Sequence, residues 1–301
     1  MSSLTSSSPG WKSAVRKVKK KVDSMVHNYP ELPKTLPRED RWIGSKISVK
    51  NYNIFLDRNE KIGYKFYWEN NNVYIIDMAN REHEAVVSYL QECFRVPNNG
   101  VKRGPLKILG QPSPDIAVCP NNAHVSQPLI LHPGPPPGDG RPHARFICEV
   151  ANAQSIDYWN TKCEAWMHEK YVRCVFGIKI YPKKIIGITV HRQMIARLWT
   201  RGASAGSVLS ADVTLEGAGV YVKEWDFGTI QYNNNTPTPT GCNALNLNAF
   251  QVTIPISDAF YDPPIIRGVP AEYAVFVPGT VVGVNFVIDL YEIQQEVLDA
   301  Q

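Results

Sequence analysis

Residues 145–170 read RFICEVANAQSIDYWNTKCEAWMHEK, and this stretch decides how the chain is interpreted. Its first part, FICEVA, is apolar or β-branched apart from Glu149, which is typical of a buried strand. From Ile156 to about Lys170 the apolar residues recur at helical spacing. The stretch therefore predicts a strand followed by a helix. An ionised carboxylate in such a strand is costly unless it has a partner, so Glu149 indicates a functional site.

A second carboxylate occupies a similar setting upstream. Residues 112–120 read PSPDIAVCP, in which Asp115 comes directly before a short apolar run that predicts another buried strand. Paired carboxylates suit Mg²⁺, which prefers hard oxygen ligands and can supply both a nucleophilic water and charge neutralisation. Asp115 and Glu149 are therefore the groups that metal-dependent phosphodiester hydrolysis requires.

A lysine follows on the predicted helix. Lys162 lies three residues after Trp159 and four before Trp166, so the three side chains lie close together on the helix surface. A helix that packs through these tryptophans carries the Lys162 ammonium towards the sheet edge that bears Glu149. Alternation along FICEVA places Glu149 and Ala151 on the same face of that strand. A lysine in this position can stabilise negative charge that develops on a phosphate.

Each of these residues also has a purely structural interpretation. Asp115, after a proline, could cap a turn. Glu149 could pair with Arg145 or Lys179, and Lys162 could extend from an apolar helix face into solvent, as lysines commonly do. We expect Lys179 on the opposite face of the sheet from Glu149, because it alternates with apolar residues of its own strand.

Composition limits the classes of protein. The 301 residues are 44% hydrophobic and 20% charged, which is typical of a globular protein with a substantial core. No segment approaches the roughly 18 uninterrupted apolar residues of a membrane span, and the lysine-rich start does not resemble a secretory signal. The six cysteines form no CxxC pair, so we expect buried free thiols in a reducing compartment, without a zinc site or a disulfide framework.

The N-terminal segment, residues 1–40, carries the most uneven charge. The overall net charge is +4, but residues 1–22 contain six basic residues and no acid, with apolar residues at helical spacing. This basic amphipathic helix fits four interpretations: a nuclear address, a contact with nucleic acid or an acidic membrane, a transit peptide, or a solvated helix packed on the main domain. A proline-rich stretch then predicts a linker.

From about Trp42 the pattern is α/β. YKFYWENNNVYIIDM predicts a hairpin, and the next residues predict a helix that starts at Asn80 and ends before Pro97. LKILG, PDIAV, ICEVA, VRCVFGIKIY and IIGITVH predict strands, and HPGPPPGDGRP predicts a long loop. Beyond Gly206 the chain is strand-rich, with VYVKEW, FQVTIPI, YAVFV and VVGVNFVIDL as predicted strands. We place one domain at 41–262 and a β-rich C-terminal extension, packed on it, at 263–301.

The order PSPDIAV, ICEVAN, Lys162 and Trp166 resembles the restriction endonuclease-like family of the PD-(D/E)XK nuclease superfamily. The likeness begins at the hairpin and helix YKFYWENNNVYIIDMANREHEAVVSYL and continues to ALNLNAFQVTIPISDAF, so it covers roughly residues 50–262. It implies a small mixed β-sheet flanked by helices, with a metal site at one edge. One departure is that Ala151 stands where the superfamily's basic motif has a lysine, two residues after the second acid.

The resemblance implies specific roles. Asp115 and Glu149 would bind Mg²⁺ or Mn²⁺, and Lys162 would be the catalytic lysine moved from the strand to the helix. Three residues would support them, His83 and Glu84 from the first helix and Gln154 from the strand-to-helix turn. His83 is otherwise an ordinary core histidine, and Gln154 otherwise a turn residue.

Two functions from different classes follow. The first is an intracellular Mg²⁺-dependent endonuclease that hydrolyses DNA, with RNA as the less favoured substrate and the nucleus as one location that the basic segment would allow. The second is a catalytically inactive nuclease fold that binds nucleic acid or another protein, which Ala151 favours. The first function also allows a homodimer, because nucleases that cut duplex DNA often act as dimers to reach both strands. We expect no membrane span.

Overall fold

A computed structural model describes the greater part of the chain. The described residues are 41–59, 64–69, 71–78, 81–101, 104–110, 114–125, 142–152, 154–215, 218–234, 236–263 and 271–301. The basic N-terminal segment, Asn80 and nearly all of the proline-rich loop lie outside these residues. The chain divides into two compact units between Met78 and Ala79.

The first unit contains a three-stranded antiparallel sheet and one helix. Its elements are β1 (Arg41–Gly44), α1 (Val49–Asn59), β2 (Tyr64–Glu69) and β3 (Asn72–Met78). The strand order is β1–β3–β2, and β2 and β3 form the predicted hairpin. Asn71, in the turn, has φ +64°, a conformation that asparagine tolerates better than most residues. Five apolar side chains form the core of this unit: Ile43, Ile47, Phe55, Val73 and Ile75.

The second unit contains the remaining helices and strands. Its helices are α2 (Arg81–Arg95), α3 (Ile156–Met167) and α4 (Leu290–Asp299). Its strands are β4 (Leu106–Gly110), β5 (Ile116–Pro120), β6 (Phe146–Ala151), β7 (Cys174–Ile180), β8 (Lys184–Ile186), β9 (Thr189–His191), β10 (Met194–Thr200), β11 (Val208–Leu215), β12 (Ala218–Asp226), β13 (Ile230–Asn233), β14 (Thr236–Pro239), β15 (Gln251–Pro255) and β16 (Asn285–Asp289). Short 3₁₀ turns cover Val96–Asn98, Asn248–Phe250 and Ile256–Phe260.

Seven of these strands form one mixed sheet, in the order β11–β12–β10–β7–β6–β5–β4. Neighbouring strands are antiparallel except β6 and β7, which are parallel and are connected through α3. Parallel neighbours need such a crossover, because the last residue of one strand and the first residue of the next lie at opposite ends of the strand pair. The pairs β8–β9, β13–β14 and β15–β16 form separate two-stranded sheets.

Both faces of the central sheet are covered, which explains the apolar character of β5, β6 and β7. Every residue of these three strands is buried. One face packs against α2, α4 and the β15–β16 pair, through a core that includes Phe94, Phe146, Phe286 and Leu290. The other face packs against α3 through a smaller core centred on Trp159. Strands covered on both faces read as continuous hydrophobic runs, and a carboxylate among them is conspicuous.

The structure confirms a mixed α/β fold with a sheet flanked by helices, although the sheet is larger than the small one predicted. Two strand predictions were wrong, and a third, VVGVNFVIDL, was too long, because β16 covers only Asn285–Asp289. IIGITVH is a hairpin, β8 and β9, because Gly187 adopts φ +65° and reverses the chain. YAVFV is irregular backbone, and its Phe276 and Val277 are exposed. The predicted domain limits at residues 40 and 262 stay predictions.

The predicted burial of the cysteines is confirmed for five of the six. All six cysteines are free thiols, five are buried and Cys93 is partly buried. Burial raises the pKa values of Cys148, Cys163 and Cys174 well above that of an ordinary thiol. Among the described residues, no helix is long and apolar enough to cross a membrane.

Candidate active site

Asp115 lies immediately before β5 and is held by two neighbouring elements. Its Oδ2 accepts a hydrogen bond from the Val150 backbone N–H of β6, at 2.8 Å. Its Oδ1 lies 3.3 Å from His83 Nε2 of α2, and the residue is only 7% exposed. The register pairs Ile116 with Cys148, so Asp115 and Glu149 are adjacent across β5 and β6. Asp115 is therefore more than a cap on an exposed turn.

Glu149 is the most enclosed acid of the site, with 2% exposure. Lys162 Nζ donates to Glu149 Oε2 at 2.7 Å, and the Trp166 indole N–H donates to Oε1 at 2.7 Å. The Trp159 indole N–H also reaches the Glu149 backbone carbonyl, at 3.3 Å. The spacing of Trp159, Lys162 and Trp166 thus does what the sequence predicts, since the helix directs all three towards one residue of β6.

The position of α3 depends on its start and on a glycine beneath it. Ser155 caps the helix, because its Oγ accepts from the Tyr158 backbone N–H at 3.3 Å. Trp159 packs directly over Gly177 of β7, the register partner of Glu149. A Cβ at Gly177 would lie 2.5 Å from Trp159 and 2.9 Å from Trp199. The absence of a side chain at Gly177 lets the helix approach the sheet closely enough for Lys162 to reach Glu149.

The charges of the site are strongly coupled. Burial raises the pKa of Glu149, the nearby Asp115 raises it further, and Lys162 and Trp166 oppose the increase. Burial by itself would lower the pKa of Lys162, but the attraction of Glu149 and Asp115 outweighs it, so the pKa of Lys162 is raised. Lys162 is consequently a fixed cation at neutral pH rather than a proton acceptor.

His83 and Glu84 connect the start of α2 to this centre. His83 is 2% exposed, and its Nδ1 lies 3.2 Å from Glu84 Oε1 while its Nε2 faces Asp115. Glu84 is 58% exposed, so the chain of contacts runs from solvent to the buried acid. The structure therefore brings His83, Glu84 and Asp115 together. Gln154 is buried in the turn between β6 and α3, and its predicted supporting role stays a prediction.

A second polar cluster adjoins the end of β6 and was not identified from the sequence. Glu82 forms a buried ion pair with Arg192, accepts from the Asn152 side-chain amide at 3.0 Å, and lies 3.8 Å from Lys183. Arg192 is 3% exposed and is separated from Glu82 by 110 positions in the chain. No local pattern indicates such a pair, because nothing near Arg192 marks it as buried.

Lys179 is on the face opposite to the one predicted. The parallel register pairs Ala151 with Lys179, so both side chains point to the side of the sheet that bears Glu149. Lys179 is 3% exposed, and its Nζ donates to the Asn152 backbone carbonyl at 2.7 Å. A buried ammonium therefore lies beside Ala151.

The alternative partners of Glu149 are engaged elsewhere. Arg145, at the other end of β6, donates to the Tyr261 and His143 carbonyls, both at 2.7 Å, and pairs with Asp262 at 3.2 Å. This network fixes the chain after β15 to the start of β6. Glu149 pairs with Lys162, rather than with Arg145 or Lys179.

The donor set determines what this site could bind. Among the described residues, no group of three or more His, Cys, Asp and Glu side chains is arranged to hold a metal ion. The available donors are two coupled carboxylates, Asp115 and Glu149, which are hard oxygen ligands. Mg²⁺ commonly binds through one or two carboxylates and retains several waters, so this pair fits Mg²⁺ or Mn²⁺ better than it fits zinc. No family model, curated protein or solved structure matches the chain.

Proposed function

We propose that the second unit is a metal-dependent nuclease that hydrolyses phosphodiester bonds of DNA, with Asp115 and Glu149 as ligands of Mg²⁺ or Mn²⁺. The observation that carries the proposal is the meeting of two buried carboxylates from adjacent strands with a lysine from α3. The resemblance to PD-(D/E)XK nucleases agrees with a mixed sheet flanked by helices. It contributes the choice of phosphodiesters as substrate, and RNA remains the less favoured alternative.

Electrostatics supports a divalent cation at this point. Two carboxylates placed side by side repel each other, and their burial deprives both of hydration. The raised pKa of Glu149 is the consequence in the absence of a second cation. A divalent ion would offset both effects, because it attracts the two carboxylates at once. When bound, such an ion would supply a nucleophilic water and neutralise charge on the attacked phosphate.

The residues of the chain have separable roles in this proposal. Lys162 opposes the rise in the pKa of Glu149, and its ammonium is available to a phosphate oxygen when Glu149 turns to another partner. Lys179 is a second candidate for the same task, because it lies on the same face beside Ala151. His83 acts through Asp115, which it contacts on the side away from Val150, and is therefore a positioning residue.

A second candidate function is supported by the same atoms. Both Glu149 oxygens already accept short hydrogen bonds, from Lys162 and Trp166, so the carboxylate is satisfied without any metal. A protein that has lost catalysis could keep this arrangement to hold α3 on the sheet. The second unit would then bind nucleic acid or another protein and cleave nothing.

Cleavage assays distinguish the two functions. Supercoiled plasmid, single-stranded DNA and RNA are incubated with wild type, Asp115→Asn and Glu149→Gln in Mg²⁺ or Mn²⁺. The matched control is Glu224→Gln, an exposed acid of the same sheet that pairs with Arg197. The nuclease proposal predicts nicking by wild type and control, and loss of at least about a hundredfold in the two site variants. No cleavage by wild type, with DNA still retarded in a gel, would favour the binding function.

A further inference from the structure

Among the described residues of the second unit, the most exposed apolar side chain, Ile188, lies in the hairpin formed by β8 and β9. The register pairs Ile186 with Thr189, so Gly187 and Ile188 form a two-residue turn. Gly187 has φ +65°, which a type II′ turn requires at its first central position and which glycine adopts without strain. Every residue from 182 to 190 is exposed. The hairpin therefore projects from the sheet instead of packing on it.

The exposed side chains of this hairpin are unusual for a solvated loop. Ile188, at the turn, is 101% exposed and Ile185 is 75% exposed, and Ile186 and Val190 are also exposed. Isolated two-stranded hairpins are only marginally stable in water, and a contiguous apolar patch usually marks a contact surface. These four side chains are exposed and add nothing to the hydrophobic core. An exposed apolar surface of this kind indicates a binding partner.

The base of the hairpin is basic and is fixed to the polar cluster around Glu82. Lys183 lies 3.8 Å from Glu82, and Arg192 is buried against the same acid. Lys184 Nζ lies 4.0 Å above the ring of Tyr232 in β13. Residues 181–193 contain no acidic side chain; Arg192 and Lys183 face Glu82, and Lys184 is exposed, with no acid among these residues to offset its charge. A polyanion is thus the partner whose charge complements this element.

We propose that the β8–β9 hairpin inserts into a groove of duplex DNA beside the bond to be cleaved. A two-stranded β-ribbon fits the major groove, where isoleucine side chains can contact thymine methyl groups, and apolar side chains can also wedge between base steps from the minor groove. Lys183 and Lys184, at the base, lie where the flanking phosphates pass. This inference rests on the proposed function and deepens it, because it names duplex rather than single-stranded DNA as the substrate.

Equilibrium binding tests the hairpin separately from catalysis. Fluorescently labelled duplex and single-stranded DNA are titrated in EDTA with wild type, Ile185→Ser/Ile188→Ser, and the matched control Val282→Ser/Val284→Ser. The control residues are 51% and 78% exposed on another part of the second unit. We expect the hairpin variant to bind duplex about tenfold more weakly or worse, and the control to bind like wild type. In Lys184→Ala, the plot of the logarithm of the association constant against the logarithm of the salt concentration should have a negative slope that is smaller in magnitude by about 0.9.

Three results would overturn the inference. They are unchanged duplex affinity in the hairpin variant, equal losses in hairpin variant and control, and loss of a wild-type dimer in sedimentation without any change in DNA affinity. The last result would assign the hairpin to self-association. Cleavage separates the two proposals. If wild type and the Ile185→Ser/Ile188→Ser variant nick plasmid equally well, the nuclease proposal is retained and the proposed role of the hairpin is refuted. If the variant loses duplex binding but wild type cleaves no substrate, the role of the hairpin is retained and the nuclease proposal is refuted.

Discussion

Replacing Lys162 by methionine removes the cation that lies 2.7 Å from Glu149 and leaves the carboxylate 2% exposed. Removal of one partner from a buried ion pair typically costs roughly 3–5 kcal/mol. Lys162 is itself 19% exposed, and Glu149 keeps its hydrogen bond from Trp166. We therefore expect a loss at the lower end, about 3 kcal/mol at pH 8.

The loss should depend on pH in a defined direction. Lys162 lowers the pKa of Glu149, so the methionine variant has a folded-state pKa raised even further above 4.5. A carboxyl whose folded pKa exceeds its unfolded value favours the folded state while it is protonated, and this contribution is lost as pH rises through the folded pKa. The variant should therefore be closer to wild type in stability at pH 5 than at pH 8.

Urea unfolding in EDTA at pH 5 and pH 8 measures the loss of stability and its dependence on pH. Each loss is obtained from the shift of the unfolding midpoint, provided that the dependence of the free energy on urea concentration stays the same. Lys170→Met is the matched control, because Lys170 is exposed just beyond the end of α3. The double variant Glu149→Gln/Lys162→Met should recover stability at pH 8, since the carboxylate that Lys162→Met leaves without its cation is also removed. Equal destabilisation at both pH values, or a double variant no more stable than Lys162→Met, would refute the buried-pair geometry.

Three further predictions concern the same unit. Gly177→Ala should destabilise the protein by about 1–3 kcal/mol in urea, because its Cβ would meet Trp159 at 2.5 Å, whereas Gly202→Ala, in open space, should have little effect. Mn²⁺ binding to the metal-free protein should weaken as pH is lowered through the raised pKa of Glu149, so the loss should begin above pH 4.5, and a loss only at the pH of an ordinary carboxyl would contradict the assigned coupling. Buried thiols, Cys148, Cys163 and Cys174, should resist alkylation at pH 8 until the protein unfolds; rapid modification of the native protein would contradict their burial.

The contacts that could be predicted from the sequence are those set by local periodicity. Glu149 and Lys162 are 13 positions apart in one strand–helix unit, and alternation in β6 with helical spacing in α3 was enough to bring them together. The sequence predicts Trp166 only as a packing residue. A partly buried indole N–H usually has an acceptor, and here it donates to Glu149 Oε1.

The contacts that could not be predicted depend on register or on distant segments. Lys179 alternates with apolar neighbours as expected, but only the parallel pairing of Ala151 with Lys179 determines which face it shares with Glu149. The Glu82–Arg192 pair joins residues 110 positions apart. Such pairs follow from the strand order of the sheet, which local patterns do not specify.

Two local patterns in the sequence contradict the strand predictions for IIGITVH and VVGVNFVIDL. IIGITVH has glycine at the first central position of a type II′ turn, but Ile188 at the second position continues the apolar run and conceals the reversal. VVGVNFVIDL was extended as a strand to Leu290, where α4 already begins. Asp289 caps that helix through the Tyr291 backbone N–H at 2.9 Å, with Glu292 three residues after the cap. This pattern is typical of a helix start.

The central claim, that Asp115 and Glu149 form one metal site, is tested most directly by calorimetric titration of Mn²⁺ and Mg²⁺ at neutral pH. Wild type, Asp115→Asn, Glu149→Gln and the Glu224→Gln control are compared after thermal melts establish that each is folded. Our account predicts binding to wild type and control, and its loss in both site variants. Undetectable binding to folded wild type, or the same binding isotherm in all four proteins, would contradict the claim.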